Sequence, residues 1–418
     1  MTNPAGAARN VDVLVVGAGP GGSTTAYHLA RAGVDVLLVE RSAFPREKVC
    51  GDGLTPRAVN ALIRMGVDVA DPGFERHEGL RIYSRKVRLE LPWPTLREYP
   101  GYGLMRTRAE LDELLARRAE KAGAELRERT EAVAPILEGG WVTGATVRSA
   151  NDDAEPIEVR ARFVVSSDGA SSRFAGRAGV RRDPRRPLGI AARRYFRTAR
   201  HPGPWLEVWM DLWDRDVLMP GYGWLFPLGD GTVNVGAGLL NTFKNFKGIS
   251  AQHVFDAFVR MLPESFGVRE SSAEGRTLSG PLPMGFSRTP AAVPGMLVVG
   301  DAAGLVNPFN GEGIAYAMES GELAAELLHD ALVNDRPGLA HLYPSLLRER
   351  YGSYYTLGRL FVKAIGEPRV MRALTDYGLS IGPLMRFLVR LMGNLTDGRS
   401  GDAQDRLMYA LERLAPAA

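Results

Sequence analysis

Apolar runs alternate with glycine-rich turns over the first forty residues of this 418-residue chain. Residues 13–16 form an apolar run of strand length, residues 23–32 have helical composition, and a second apolar run ends at Glu40. The first run and the helix are separated by three glycines in the pattern G-x-G-x-x-G, namely Gly17, Gly19 and Gly22. This order predicts a strand, turn, helix and strand of a parallel sheet.

There is a physical reason for glycine at each of these three positions. Gly17 permits the tight turn, Gly19 lets a pyrophosphate approach the backbone, and Gly22 lets helix and strand pack closely. The helix N-terminus offers free N–H groups to an anion, and Glu40 is placed to accept from both hydroxyls of an adenosine ribose. The unit predicts binding of FAD or NAD, and an acid at position 40 argues against a 2′-phosphate.

The pattern changes between residues 186 and 280, where short runs of aromatic and β-branched residues alternate with turn signals. It predicts strands at 189–197, 206–213, 223–227 and 232–239, a hairpin turn at Asp230 and Gly231, and another strand at 80–91. We expect an antiparallel sheet that forms the floor of a substrate pocket.

Residues 340–418 have a helical pattern, with apolar residues at helical spacing between Ile381 and Leu395. One interpretation is a helix packed on the core. The other is a surface that admits an apolar substrate or rests on a membrane. The spacing alone leaves both open.

Composition narrows the class of protein. The chain is 45% hydrophobic and 24% charged, with a net charge of +4 and no basic run interleaved with aromatic residues, so no nucleic-acid partner is predicted. A single cysteine excludes an internal disulfide framework and a cysteine-based zinc site, and six scattered histidines predict no metal. The first ten residues are small and polar, and no run of 18 apolar residues occurs, which predicts a cytoplasmic protein.

Two downstream segments point to a flavin. Gly300 and Asp301 follow an apolar run at 296–299 and lead into a helix, and Asp168 and Gly169 follow another apolar run. With the first glycine turn, they resemble the GD and DG motifs of the flavoprotein hydroxylase superfamily. The resemblance implies FAD, with Asp301 at the ribityl hydroxyls and Asp168 near the pyrophosphate.

Two more motifs point to one family within this superfamily. Residues 44–57 contain Cys50, Gly51 and Asp52 in a glycine-flanked loop, and residues 220–227 place aromatic side chains on alternate positions. Together they resemble the geranylgeranyl reductase family, including its actinobacterial menaquinone reductase branch. Val49 stands where relatives often have proline.

The resemblance implies an α/β fold: a Rossmann-type FAD-binding domain with an inserted antiparallel β-sheet substrate domain and C-terminal helices, as in the flavoprotein hydroxylases. We expect the discontinuous FAD-binding domain at 10–70, 100–185 and 280–335, the β-sheet substrate domain at 71–99 and 186–279, and the helical region at 340–418.

The implied reaction is reduction of carbon–carbon double bonds in an isoprenoid, such as a polyprenyl lipid or menaquinone side chain, or in a secondary metabolite such as a polyketide. NADH or NADPH would reduce the FAD as a transient reductant.

The expected catalytic residues are Cys50 and Asp52. For Cys50, an inert buried cysteine is the alternative. The expected pocket residues, for which ordinary sheet core is the alternative, are Tyr222, Trp224 and Phe226. The expected FAD-binding residues are Gly17, Gly19, Gly22, Glu40, Arg41, Arg46, Cys50, Gly51, Arg108, Asp168, Gly300, Asp301, Pro308, Asn310, Gly311, Glu312, Gly313 and Ile314.

Some alternatives remain at this stage. Arg108, in a pattern R-x-x-L-D-x-x-L at the start of a helix, faces either the FAD or solvent. Backbone N–H groups of Asn310, Gly311 and Gly313 are expected at the pyrimidine side of the flavin.

A flavin-dependent monooxygenase or halogenase on the same scaffold is the alternative activity, and a non-enzymatic FAD-binding or electron-carrier role is a third. The expected partner is a hydrophobic small molecule, with peripheral contact at the inner membrane face as a further hypothesis; the oligomeric state is left open.

Overall fold

A computed structural model describes residues 9–84, 87–149, 155–201, 203–243, 246, 248–398 and 401–415. Eight of the first ten residues, in which no signal segment is predicted, therefore lie outside the described residues.

The elements of the described chain are numbered in sequence order. The strands are β1 Arg9–Val16, β2 Val36–Val39, β3 Gly53–Leu54, β4 Glu75–His77, β5 Gly79–Tyr83, β6 Arg88–Pro92, β7 Gly103–Met105, β8 Glu125–Arg127, β9 Thr130–Glu138, β10 Trp141–Ser149, β11 Ile157–Ser166, β12 Arg181–Arg182, β13 Leu188–Arg197, β14 Trp205–Trp209, β15 Leu212–Asp214, β16 Val217–Met219, β17 Tyr222–Pro227, β18 Thr232–Leu240, β19 Ala273–Pro283, β20 Arg288–Thr289, β21 Ala292–Val293 and β22 Met296–Val298. The helices are α1 Pro20–Arg31, α2 Pro56–Arg64, α3 Arg108–Lys121, α4 Arg173–Arg177, α5 Ala251–Met261, α6 Ile314–Val333, α7 Tyr343–Ile365, α8 Pro368–Asp376, α9 Gly382–Gly393 and α10 Ala403–Leu414.

A mostly parallel sheet carries the glycine turn. Its strand order is β21-β22-β11-β1-β2-β8, with the β9–β10 hairpin attached to β11. Strand β1 lies in the interior between β2 and β11 and pairs parallel with both. An interior strand covered on both faces is apolar along its length, which explains the run at 13–16. The predicted strand–turn–helix–strand unit is confirmed.

Helices α1 and α6 cross at glycines. A Cβ placed on Gly321 would lie 2.4 Å from the carbonyl oxygen of Gly21, and the Thr25 hydroxyl donates to the carbonyl of Gly321 at 3.1 Å. Helix α1 follows β1, and α6 follows β22, which is parallel to β1's neighbour β11. The N-termini of both helices therefore lie beyond the same edge of the sheet.

The second large sheet has the order β19-β13-β18-β17-β14-β5-β6 and is antiparallel except where β5 pairs with β14. Strands β17 and β18 form the predicted hairpin at Asp230 and Gly231, whose turn is closed by the Thr232 N–H donating to the Asp230 carboxylate at 2.8 Å. Helix α5 covers one face, where a Cβ on Gly223 would lie 2.7 Å from the Phe258 ring. The alternate side chains of β17 face the other way, toward the parallel sheet's loops.

Two strand predictions were wrong in extent. The single strand expected at 80–91 is a hairpin of β5 and β6, because Ser84 and Val87 bond to each other through both backbone groups. The strand expected at 206–213 ends at Trp209, and the chain then enters a separate two-stranded ribbon, β15 and β16. Both errors arise because neither break in the strand is marked by glycine or proline.

The C-terminal helices cover α6 and the edge of the antiparallel sheet. Met385, Val389 and Leu395 pack against Ile82 and Trp93, so this part of the helical stripe belongs to the core. Ile381 and Leu384, at the start of α9, are exposed. Arg390 is buried and pairs with Asp402 at 2.7 Å and Asp405 at 2.5 Å, which fixes α10 against α9. Among the described helices, none has the length and apolarity needed to cross a bilayer.

Candidate active site

The three glycines of the first turn meet different surroundings. A Cβ on Gly17, whose φ is +97°, would lie 2.4 Å from the Ser167 carbonyl oxygen, and a Cβ on Gly22 would lie 1.9 Å from the Gly17 carbonyl oxygen. Both positions therefore exclude any side chain. At Gly19, the atom near such a Cβ is Nη2 of Arg46 at 3.8 Å. The backbone at Gly19 is thus open on the side where a ligand would approach.

Glu40 lies beside this turn and is 5% exposed. Its carboxylate accepts from the N–H of Ala18 at 3.1 Å, from the N–H of Ser42 at 3.1 Å and from Arg46 Nη2 at 3.2 Å. Helix α1 begins at Pro20 without a side-chain cap, so its first N–H groups remain available to an anion. Arg41, the next residue after Glu40, is exposed.

A chain of charges runs inward from Glu40. Arg46 also pairs with Asp112 at 2.9 Å, and Asp112 accepts from Arg108 at 2.7 and 2.8 Å. Asp112 and Arg108 are both buried. Arg108 therefore lies inside the protein and not on a solvated helix face, and its charge is shared between Asp112 and the loop that carries Cys50.

Asp168 holds a turn. Its carboxylate accepts from the Ser166 hydroxyl at 2.7 Å and from the Phe174 N–H at 2.8 Å, at the start of α4. Burial raises the pKa of this carboxyl, and the two hydrogen bonds oppose that shift. Asp168 thus shapes the backbone of the DG turn.

The second helix N-terminus belongs to α6. Gly313 precedes it and provides no side-chain cap, and a Cβ on Gly313 would lie 3.1 Å from Asp301 Oδ1. Asp301 follows Gly300 in a short turn after β22, and Lys48 Nζ lies 3.9 Å from its carboxylate. The GD turn, the cysteine loop and the start of α6 are therefore adjacent.

The loop before α6 uses some of its own N–H groups. The Gly311 N–H donates to the Asn307 carbonyl at 3.0 Å, and the Glu312 N–H donates to Asn310 Oδ1 at 2.9 Å. This corrects the expectation that the Gly311 N–H faces a flavin. Gly311 instead gives room, since a Cβ there would lie 3.3 Å from the Tyr222 hydroxyl. Pro308 packs on α7, where a Cβ on Gly358 would lie 2.5 Å from its ring, and Ile314 is buried.

Cys50 and Asp52 have different environments. Cys50 is partly exposed, and its sulfur accepts from the Asp52 N–H at 3.3 Å. Burial raises the pKa of the Cys50 thiol while Arg108 acts to lower it, so the group carries its proton at neutral pH. Asp52 is 0% exposed and has φ +65°. It cannot touch a substrate, so its expected catalytic role becomes one of positioning Cys50.

Three donors hold the Asp52 carboxylate. Oδ1 accepts from the Arg108 N–H at 3.1 Å, and Oδ2 accepts from the Tyr195 hydroxyl and from Asn234 Nδ2, each at 2.7 Å. Burial raises the pKa of Asp52, and these hydrogen bonds oppose the rise. Asn234 also donates to the Cys50 carbonyl at 2.8 Å and accepts from Trp224 Nε1 at 3.0 Å.

Asn234 is a functional candidate that the sequence reasoning missed. It is fully buried in β18, a strand made otherwise of apolar and small residues apart from Thr232. A lone amide in such a strand is the signal that could have found it, because a buried amide needs partners.

The aromatic residues of β17 close the site. Trp224 is buried, and Phe226 ring atoms would lie 3.2 Å from a Cβ on Gly51 and 3.5 Å from one on Gly53. The Tyr222 hydroxyl donates to the Asn310 carbonyl at 3.2 Å, and burial raises the pKa of Tyr222 to about 12. The rings therefore connect the cysteine loop to the loop before α6.

The residues present fit FAD on their own geometry. The open backbone at Gly19 and the uncapped starts of α1 and α6 suit phosphate and an anionic ring. Glu40 and Asp301 are carboxylates placed for hydroxyl groups. No group of three or more potential metal ligands occurs in the described part of the chain.

Comparison with known proteins agrees with this geometry. Residues 10–337 match the family described as FAD binding domain. The chain is 37% identical over 389 residues to the menaquinone reductase of Mycobacterium tuberculosis, which covers 92% of this chain and 91% of that protein. It is 31% identical over 350 residues to the digeranylgeranylglycerophospholipid reductase of Thermoplasma acidophilum, covering 81% and 84%.

Solved structures show the same architecture. A geranylgeranyl bacteriochlorophyll reductase-like protein from Thermoplasma acidophilum superposes with a TM-score of 0.78 at 25% identity, covering 97% of this chain and all of that chain. A flavin-dependent brominase superposes with a TM-score of 0.72 at 18% identity, covering 97% and 98%. At that identity the second likeness concerns the fold alone.

We expect Glu40→Arg to yield protein without the yellow colour of bound flavin. The change removes an acceptor for the Ala18 N–H and places a cation beside Arg46. Glu40→Gln keeps one acceptor oxygen and should weaken FAD binding by about tenfold to a hundredfold, the cost of a charged hydrogen bond. Flavin absorbance per protein and titration of the apoprotein with FAD measure both effects.

The matched control for this prediction is Asp35→Asn, an exposed acid just before β2 that is bonded to Arg9. Far-UV circular dichroism establishes that each variant is folded. Full FAD occupancy in folded Glu40→Arg would contradict the role assigned to Glu40.

Proposed function

The chain belongs to the FAD-binding family and, within it, to the geranylgeranyl reductase family of FAD-dependent oxidoreductases, and from this premise we propose that it reduces carbon–carbon double bonds of an isoprenoid. The observation that carries the proposal is the cysteine loop, anchored by Asp52 and Asn234 against the aromatic strand β17. Relatives named as menaquinone and digeranylgeranylglycerophospholipid reductases support a polyprenyl chain as the substrate class. A polyketide or similar secondary metabolite remains the second candidate substrate.

One set of residues would bind the cofactor, and another would shield the substrate from water. Bound FAD supplies hydride transfer from NADH or NADPH to the alkene. Glu40, Gly19 and the start of α1 would bind its adenosine and pyrophosphate parts, and Asp301 and the start of α6 its ribityl and ring parts. Tyr222 and Phe226 would present apolar ring faces to the substrate and exclude water from the reacting carbon.

Reduction of an unactivated alkene also requires a proton, and Cys50 is the proposed donor. Its thiol keeps a proton at neutral pH, and it lies on the loop that Phe226 and Trp224 contact at Gly51. Arg108 beside it would stabilise the thiolate that remains after transfer. Asp52 fixes the loop through its buried carboxylate.

The first test of this function is anaerobic. The bound flavin is reduced with NADH or NADPH, and geranylgeranyl diphosphate, menaquinone or a polyene metabolite is then added. We expect the flavin to reoxidise and the product to be heavier by two hydrogens, as followed by absorbance and mass spectrometry. A flavin that stays reduced until oxygen is admitted, with a product that gains oxygen, would favour a monooxygenase. If halide must also be added and the product gains a halogen, the protein is a halogenase.

We expect Cys50→Ala to retain FAD and to lower the rate of alkene reduction by about a hundredfold or more, the usual contribution of a general acid. Cys50→Ser, which keeps a weaker proton donor of similar size, should lose less. Single-turnover reoxidation by the substrate measures the step directly, because it separates alkene reduction from reduction of the flavin by NAD(P)H. Unchanged turnover in Cys50→Ala would make Cys50 a packing residue.

We also propose that the protein contacts a membrane through one face of its C-terminal helices, which would place it at the inner membrane face. The α8–α9 surface, defined by Val370, Tyr377, Ile381 and Leu384, exposes these apolar side chains, Tyr377 at 74% and Ile381 at 51%. Exposed cations border it at Arg369, Arg372 and Arg386. Three exposed cations against one exposed acid, Asp376, give this apolar surface a net positive border, which suits an interface of anionic lipid.

We expect the protein to co-sediment with vesicles containing phosphatidylglycerol and less with vesicles of phosphatidylcholine. The double substitution Tyr377→Ser with Ile381→Ser should weaken binding by about tenfold or more, since each side chain contributes on the order of 1–2 kcal/mol when buried in lipid. The control is Leu137→Ser, an exposed apolar residue on the β9–β10 hairpin. Equal binding of the double variant and the wild type would contradict this surface.

A further inference from the structure

Glu312 is a half-buried acid, with its Oε2 atom enclosed, that the proposed reaction does not use. It lies between Gly311 and Gly313 in the loop that leads into α6. Its side chain reaches Thr55, the N-cap of α2, whose hydroxyl donates to Oε1. Oε2 is buried and has no hydrogen-bond partner among the described residues. An unpartnered buried carboxylate oxygen is costly when charged, so the site favours the protonated acid.

The groups that face Glu312 leave it without an ion-pair partner of its own. Arg57, on α2, is bonded to Glu319 on α6 at 2.8 Å through two nitrogens and donates to the Asn394 carbonyl at 2.9 Å. Burial would raise the pKa of Glu319, and the Arg57 guanidinium overcomes this and holds it below the usual range. The charge of Arg57 is therefore already matched by Glu319.

Two phenols also face the carboxyl, Tyr316 from α6 and Tyr354 from α7. Burial raises the pKa of both, so they stay neutral and add no charge at neutral pH. Burial raises the pKa of Glu312 itself to about 7, against the opposing effects of Thr55, Arg57 and the Asn310 side chain, with Glu319 adding to the rise. The acid and the carboxylate are then both populated near neutral pH.

The position of Glu312 couples it to charge at the start of α6. Only Gly313 separates it from Ile314, the first residue of the helix, where uncapped N–H groups favour an anion. A negative charge that develops there repels the Glu312 carboxylate and favours its protonated form. The coupling is electrostatic and requires no contact between Glu312 and the ligand.

We propose that Glu312 takes up one proton from solvent when bound FAD gains two electrons and one proton, and releases it when the flavin is reoxidised. Above pH 7, where the Glu312 carboxylate predominates, the site then gains two electrons and two protons in total, one proton on the flavin and one on the carboxyl. Glu312 thereby keeps the net charge of the buried site constant through the cycle. The proposal rests on the FAD of the proposed function and is independent of the identity of the alkene.

The test is the pH dependence of the flavin midpoint potential, measured in the holoenzyme by equilibration with a reference dye and without alkene. For a two-electron couple, each proton taken up contributes about 30 mV per pH unit. Since the pKa of Glu312 is about 7 before reduction, we expect the wild-type slope to rise from about 30 mV per pH unit below pH 6 towards about 60 above pH 7, and to stay at about 30 in Glu312→Gln. Gln keeps the shape and an acceptor for Thr55 but cannot take up the proton.

The matched control is Glu322→Gln, further along α6, where the acid pairs with Arg64 near the surface. It should keep the wild-type slope. A one-proton slope in the wild type above pH 7, or a slope in Glu312→Gln that rises as in the wild type, would overturn the proposal. If Glu312→Gln fails to hold FAD, infrared difference spectra of wild-type protein carrying isotope-labelled glutamate decide: a labelled carboxylic acid band must grow on flavin reduction, and its absence is decisive against the proposal. Failure of alkene reduction would leave these measurements unaffected.

Discussion

The buried carboxylate of Asp52 joins the two halves of the site. One oxygen accepts from the backbone at the start of α3, which packs in the same core as β1, and the other accepts from Tyr195 and Asn234 on neighbouring strands of the antiparallel sheet. Removing this carboxylate would leave three buried donors unmatched, at about 1–3 kcal/mol each. The sheet and the cysteine loop are therefore held in one relative position by a single side chain, and the residue carrying it adopts a left-handed conformation in order to reach both.

The same loop is tied by charge to the glycine turn that precedes α1. Glu40, Arg46, Asp112 and Arg108 alternate in sign, and the last of them lies beside both Asp52 and Cys50. Breaking a buried pair leaves an uncompensated charge, so changes at one end of this series should be felt at the other. Only Glu40 and Arg46 lie against the open turn. The charges of Asp112 and Arg108 are nevertheless required, because each balances the charge of its neighbour in the series.

Much of the architecture could be predicted from local pattern, and the site only in part. Apolar strands, the spacing of Gly17, Gly19 and Gly22, and the Asp230–Gly231 turn are short-range signals, and the structure contains each of them. The hairpin within 80–91 was missed because Ser84 and Val87 turn the chain without glycine or proline. The partners of Asn234 and Asp52 could not be predicted, because they lie on other strands and in α3, and only the folded chain brings them together. Arg390 is a similar case, since its buried partners follow it on the next helix.

Helix α6 contacts both the glycine turn region, through α1, and the C-terminal helices, through α7. Its glycine contact with α1 fixes two positive helix ends beyond one edge of the sheet, and its interior carries Glu319, bonded to Arg57 and Tyr351. Helix N-termini favour negative charge, and a change in the charge of a ligand bound there is offset if a nearby group takes up or releases a proton. Glu312, adjacent to one of those ends and without an ion-pair partner of its own, is placed to be that group. The uncapped start of α6 and the Glu312 carboxylate before it belong to one electrostatic arrangement. The positive helix end lowers the free energy of the carboxylate, and the carboxylate lowers that of the helix end.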